Sequence, residues 1–268
     1  MLNIPHSPIP RAEASTLLAF VLGIEPKELL TAVPPSPDQE RRYQSLLVRR
    51  AAGEPLQYLT GKAYFRTVAV EVGPGVFIPR PETEVMTGWA VEWLGSSPGT
   101  VVELCVGSGA VSLAVATELP GLRQYAVEID PVAFSWAERN LAQTQVLLRL
   151  GDMATSFPEL DQQADLVIAN PPYVPEDELG LVGKDVLEHE PALAVFSGPD
   201  GLDAVQTVIA VAARLLRPAG ALCFEHAESN AAAAAELVRA SGAFTQVQTH
   251  PDLTRRPRFT TAVRGPVL

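Results

Sequence analysis

Apolar positions change period along the chain, and the changes divide it into three stretches. From Pro10 to about Gly53 they recur at helical spacing. "RAEASTLLAFVLG" ends on Gly23, and "SPDQERRYQSLLVRRAAG" has Ser36 as a cap before Pro37, an acidic first turn, a basic last turn and Gly53 as a stop. Next, "AYFRTVAVEVGPGVFIPR" alternates apolar and polar positions and is broken by Gly73-Pro74-Gly75, which predicts a two-stranded hairpin turning at 73–75. Beyond Pro81 short apolar runs alternate with helical stretches. The pattern predicts a helix over 82–95, a strand at "TVVELCV", a helix from Gly109 to about Leu119, a strand at "RQYAVEI" and a helix from Pro131. Strands follow at "VLLRLGD" and "ADLVIAN", then a helix to Leu216, a strand at "ALCFEH", an Ala-rich helix over 229–241, and strands at "FTQVQTH" and "RFTTAVR".

Strands that alternate with helices imply an α/β fold, a doubly wound and mostly parallel seven-stranded sheet covered on both faces, with ligands outside the carboxyl ends of its strands. The organisation expected is a helical amino-terminal domain over 1–61, a β-hairpin linker over 62–80 and the sheet domain over 81–268. There are no internal repeats, and "AAAAAE" is a helix former rather than a linker.

Composition narrows the setting. At 47% hydrophobic and 19% charged, the 268 residues can bury a sizeable core. No apolar run reaches the roughly 18 residues that span a bilayer, and "MLNIPHSPIP" lacks the regions of a secretory signal, so the expectation is a cytoplasmic chain without a membrane partner. Cys105 and Cys223 sit in apolar runs and read as buried thiols. Charge is uneven. Residues 1–80 carry nine Lys/Arg against seven Asp/Glu, whereas 81–268 carry eleven against twenty-four. A sheet domain of net −13 argues against a direct grip on nucleic acid, which is held by neutralising phosphates.

The first strand ends in a turn with Gly107-Ser108-Gly109 and opens into a helix. Such a turn lets a ligand approach backbone N–H groups at a helix start, although tight turns also use glycine for geometry alone. The second strand sharpens the reading: Glu128 stands nineteen positions after Gly109, where a carboxylate accepts the ribose hydroxyls of an adenosine ligand. A dinucleotide fingerprint would want glycine where Ser112 stands. Glu103 would repel a pyrophosphate but meet an ammonium group, so the expected cofactor is S-adenosylmethionine. At the third strand end, Asp152 either faces the adenine amino group or is a plain turn residue, and Met153 packs on the ring.

The fourth strand stops on Asn170-Pro171-Pro172-Tyr173. Methylating a planar NH2 nitrogen, whose lone pair is delocalised, requires acceptors rigidly placed for its two N–H bonds. The Asn170 side-chain oxygen takes one and the Pro171 carbonyl the other, the prolines stiffen the loop and Tyr173 stacks on the planar group. The same residues also serve as a strand terminator; their place at the strand-end crevice favours the chemistry. His6, His189, His226 and His250 read as structural or exposed.

Together these blocks resemble the release-factor glutamine methyltransferases, the HemK/PrmC-type family. The similar segments are "EPLQYLTGKAYF", "GVFIPRPETE", "ELCVGSGAVSLA", "AVEIDP", "NPPYV", "EHEPALAVFSGPDGL", "FEH" and "RRPRFTTA", running from Pro10 onward. The resemblance implies a class I S-adenosylmethionine-dependent methyltransferase with a helical amino-terminal domain. Its reaction would be methylation of the side-chain amide of the Gly-Gly-Gln glutamine in peptide chain release factors. By position it assigns the cofactor to Glu103, Cys105, Val106, Gly107, Ser108, Gly109, Glu128 and Met153, and the glutamine to Asn170, Pro171, Pro172 and Tyr173. Phe77 covers the site or packs as hairpin core, while Arg80, Glu82 and Glu84 cap the next helix or shape the substrate groove. Cys105 and Arg255 stand where the family pattern has glycine, and the match starts at "PRAEASTLLAFVLG", so the expectation is that the first helix of the family's amino-terminal domain is missing or mis-started. A nucleic-acid exocyclic-amine methyltransferase would share the Asn-Pro-Pro-Tyr chemistry, and an idle homologue would bind cofactor without transfer.

Overall fold

In the computed structural model, residues 7–95, 98–176, 180 and 183–266 are described; His6 lies outside them. Helices α1 (Arg11–Leu22), α2 (Pro37–Ala51) and α3 (Leu56–Thr60) form the amino-terminal part. Gly23, at φ 70°, ends α1 in the left-handed conformation that glycine adopts without strain. Ser36 and Gln39 form a reciprocal capping box that starts α2 where the sequence predicts. Leu17, Leu18, Tyr43, Leu46, Leu47 and Leu59 bury one another to hold the three helices together.

The hairpin forms, but its turn is elsewhere than 73–75. Strands β1 (Lys62–Phe65) and β2 (Val68–Glu71) pair antiparallel with Phe65 opposite Val68, so the turn is Arg66-Thr67. Arg66 takes φ 50°, uncommon for a side-chain-bearing residue, and is anchored by Glu118 at 2.7 and 2.6 Å and by the Glu84 carbonyl at 3.1 Å. Gly73 and Gly75 serve close approach instead: a Cβ at Gly73 would lie 2.7 Å from the Trp136 ring, and one at Gly75 would lie 2.5 Å from Val132.

Helix α4 (Pro81–Leu94) leads into the sheet, where β3 (Thr100–Leu104), α5 (Ala110–Glu118), β4 (Arg123–Glu128), α6 (Pro131–Leu141) and β5 (Leu147–Leu150) wind in one direction. Strand β6 (Ala164–Ala169) returns to the other side of β3. The short helix α7 (Lys184–His189), α8 (Asp203–Leu215), β7 (Leu216–Glu225), α9 (Ala231–Ala240), β8 (Phe244–Pro251) and β9 (Pro257–Arg264) complete the chain. The strand order is β5-β4-β3-β6-β7-β9-β8, parallel through β7 with β9 antiparallel to both neighbours. Apolar clusters lie on both faces, one packing α8 and α9 and the other packing α4, α5 and the hairpin. This burial on two faces is why the strands read as continuous apolar runs. Winding reverses at β3, which opens a crevice beyond the carboxyl ends of β3, β4 and β6. No described helix is long and apolar enough to cross a membrane.

Candidate active site

A cavity of about 850 Å³ occupies that crevice. Of the residues singled out from sequence, Phe77, Glu103, Cys105, Val106, Gly107, Ser108, Glu128, Asp152, Met153, Asn170, Pro172 and Tyr173 line it. Gly109 and Pro171 do not. Gly109, at φ 82°, begins α5, and a Cβ there would stand 3.2 Å from Leu141 and 3.5 Å from Ala137, so its small size seats α5 against α6. Pro171 is buried.

The floor at β3 is acidic and largely buried. Glu103 is 4% exposed and accepts a hydrogen bond from the Ser112 hydroxyl, a role of Ser112 that sequence reading missed. Burial raises its carboxyl to about 8, against the pull of Ser112. Cys105 follows with φ 59°, a left-handed backbone at a position where the family pattern has glycine. Its thiol lies 3.7 Å from the Met153 sulfur, and burial followed by the charges of Glu128, Glu103 and Asp152 pushes it well above the usual thiol range. Gly107 adds its N–H to Glu128 Oε2 at 2.8 Å, and a Cβ there would meet nothing within 4 Å, so the backbone is open to a ligand.

Glu128 at the end of β4 also accepts the N–H groups of Ile129 and Asp130 at 3.0 Å each. Three of about four acceptor directions of the carboxylate are thereby used, which leaves one for a hydroxyl in the cavity. Burial raises its carboxyl despite those donors. Asp152 is exposed and accepts from the Ala154 N–H at 2.8 Å, so the turn role is observed, and the residue also faces the cavity.

At the end of β6 the Asn170 Nδ2 donates to the Thr83 hydroxyl at 3.1 Å, and Thr83 donates to Glu225 Oε2 at 2.7 Å. The Tyr173 hydroxyl donates to Glu225 Oε1 at 2.7 Å. Glu225 ends β7; burial raises its carboxyl, opposed by the two hydroxyls and by Arg258. Neither Thr83 nor Glu225 was singled out from sequence as functional, although the matches to "PRPETE" and "FEH" contain them. His226 is fully buried, with its ring 3.0 Å from the Thr260 hydroxyl, and His250 stacks on Phe259 at 4.8 Å.

Phe77 is held between two anchors. Tyr58 donates to the Val76 carbonyl at 2.6 Å, and the Ile78 N–H donates to Glu190 Oε2 at 3.0 Å. Glu190 is also paired with Arg80, whose guanidinium lies 4.8 Å from the centre of the Phe77 ring. Arg80, Glu82 and Thr83 line the cavity, whereas the carbonyl of Glu84 serves Arg66. Arg80→Ala is expected to cost about 2 kcal/mol in urea unfolding at neutral pH; a fully buried pair would cost more, but the Arg80 side chain is 27% exposed. Glu190 is already raised by burial, so the penalty shrinks as acid protonates it; a penalty that grows in acid would contradict this.

The PrmC N-terminal domain family matches residues 5–61, and the methyltransferase small domain family matches residues 70–191. The release factor glutamine methyltransferase of Streptomyces coelicolor is 44% identical over 258 residues, covering 95% of this chain and 91% of that protein. A 4-amino-L-phenylalanine/4-methylamino-L-phenylalanine methyltransferase of Streptomyces pristinaespiralis is 35% identical, covering 95% and 88%. Among solved structures, the hMettl16 catalytic domain in complex with the MAT2A 3'UTR hairpin 6 is similar in fold, with TM-score 0.60, 12% identity and 92% of each chain covered. The fold is that of the doubly wound methyltransferases. Within that class, the chain belongs to the release factor glutamine methyltransferase family.

Proposed function

We propose that this chain transfers a methyl group from S-adenosylmethionine to the side-chain amide nitrogen of a release factor glutamine, the glutamine of the Gly-Gly-Gln motif. The observation that carries the reading is one cavity lined both by the buried acid Glu103 and by Asn170, Pro172 and Tyr173. Glu103 is a buried carboxyl that a bound cation would hold ionised, Glu128 has one acceptor direction free and Gly107 exposes its backbone, so these residues suit a ligand with an ammonium group and ribose hydroxyls. When bound, the cofactor supplies an electrophilic methyl group on sulfur. Glu103 takes its ammonium, Glu128 the ribose, Val106 to Ser108 line its path, and Asp152 and Met153 face the adenine, with Phe77 over the site. Asn170 accepts one N–H of the glutamine, the Pro171 carbonyl is the expected second acceptor, and Pro172 and Tyr173 wall the amide plane. Pro171 itself is buried and, unlike Asn170, Pro172 and Tyr173, does not line the cavity.

We read residues 1–61 as the substrate-recognition domain, 62–80 as the linker and 81–268 as the transferase domain. The match to residues 5–61 supports the first boundary. The net charge of −13 on 81–268 supports a protein substrate over a direct nucleic-acid grip, and a release factor substrate places the chain in the cytoplasm. The Streptomyces pristinaespiralis relative favours a second reading, a small arylamine.

The test is incubation with S-adenosylmethionine and a release factor, followed by peptide mass spectrometry, with 4-amino-phenylalanine as a parallel acceptor. Methyl on the Gly-Gly-Gln glutamine, absent when that residue is replaced by Ala, is the expected result. Transfer confined to the arylamine or to a nucleic acid would overturn it.

A further inference from the structure

Thr83 is 3% exposed and stands between two groups of the cavity wall, Asn170 and Glu225. The direction of each hydrogen bond follows from counting hydrogens. A hydroxyl has one to give, whereas an ionised carboxylate has none. Glu225 is 1% exposed and meets two hydroxyls, Thr83 at Oε2 and Tyr173 at Oε1, each at 2.7 Å. The two hydroxyls, each 2.7 Å from a carboxylate oxygen, and the positive charge of Arg258 favour the ionised form against burial, and toward that form both hydroxyls spend their single hydrogen. Thr83 then has only lone pairs left for Asn170, so the amide must turn its NH2 toward Thr83, as the 3.1 Å contact from Nδ2 has it. Among the described residues no donor meets Asn170 Oδ1. An asparagine amide rotated by half a turn has nearly the same shape and opposite chemistry. Rotated, it would set NH2 against the NH2 of a substrate.

We propose that Thr83 is a positioning residue that fixes the Asn170 amide so that its oxygen, and not its nitrogen, meets the substrate amine. This rests on the reading that Asn170 accepts an N–H of the glutamine. Thr83 belongs to the first turn of α4, immediately after the linker, whereas Asn170 directly follows β6, so the sheet domain's reactive loop takes its polarity from a helix 87 positions away. Tyr173 is fixed by the same carboxylate, which makes Glu225 the shared acceptor behind both wall groups.

The experiment compares Thr83→Val, which keeps the shape and removes the hydroxyl, with Thr83→Ser, which restores it. Expected are a fall in kcat of about twentyfold for the valine variant, with KM for the release factor and the S-adenosylmethionine Kd within about threefold, and near-normal turnover for serine. On an Asn170→Ala background, Thr83→Val should change kcat by less than about twofold, because its effect passes through the missing amide. Cofactor binding reports folding; should the valine variant fail to bind, Thr83→Ala carries the same comparison. Unimpaired valine turnover, serine as impaired as valine, or an undiminished loss on the Asn170→Ala background would each overturn the inference alone. Absence of transfer by the unaltered protein overturns the reading of function, and this inference with it.

Discussion

Asn170→Ala is expected to lower kcat for release factor methylation about a thousandfold while leaving the S-adenosylmethionine Kd within a few fold. The amide nitrogen of glutamine is a poor nucleophile because its lone pair is shared with the carbonyl. An acceptor held on one N–H turns that lone pair out of conjugation and toward the methyl group, an interaction that gains strength as the transition state forms. Asn170 occupies the end of β6, its amide held by Thr83 and its neighbour Tyr173 held by Glu225. The cofactor-side contacts assigned above lie at the ends of β3, β4 and β5, so removing the amide leaves them in place. Single-turnover kinetics beside calorimetric cofactor titration separates the two quantities. Equal losses in kcat and in cofactor affinity would make Asn170 a cofactor residue first.

Glu103→Gln is expected to weaken S-adenosylmethionine binding about a hundredfold, since it removes the buried carboxylate assigned to the ammonium. The wild-type affinity should also depend on pH. In the ligand-free protein burial holds the Glu103 carboxyl at about 8, so near neutrality it is mostly protonated. Binding a cation requires the carboxylate and therefore expels a proton. The association constant should rise close to tenfold per pH unit below about 8 and level off there, while the glutamine variant stays flat. The stability of the ligand-free protein follows the same linkage. The folded chain keeps a proton that the unfolded chain gives up above about 4.5, so this group's contribution to stability falls as pH rises from that value to about 8. Calorimetry in buffers of differing ionisation enthalpy reads the released proton; no release would show Glu103 already ionised.

Local pattern made much of this site readable. Strand-end residues are separated by whole βα units, so once the alternation of strands and helices is recognised, Glu103, Glu128, Met153 and Asn170 must converge on one edge of the sheet. Gly109 shows the limit of that logic. It sits in the same turn as Gly107, but its left-handed backbone and its contact with Leu141 serve packing, and a one-dimensional motif does not separate a glycine facing a ligand from one facing a helix. The hairpin turn was misplaced for a related reason. Local propensity points to Gly73-Pro74-Gly75, yet the turn at Arg66 is held by Glu118, 52 positions away, and such an anchor outweighs the cost of a left-handed arginine. Cys105 and Arg255, where the family pattern has glycine, both keep left-handed backbones, at φ 59° and 68°.

The order of apolar runs therefore determined the sheet, its two covered faces and the edge where chemistry gathers, because these follow from periodicity and burial alone. Tertiary structure alone decided which hydroxyl faces which carboxylate. Thr83 and Glu225 come from α4 and β7, Asn170 and Tyr173 from the loop after β6, and the polarity of their hydrogen bonds arises only when a buried carboxyl meets donors with one hydrogen each.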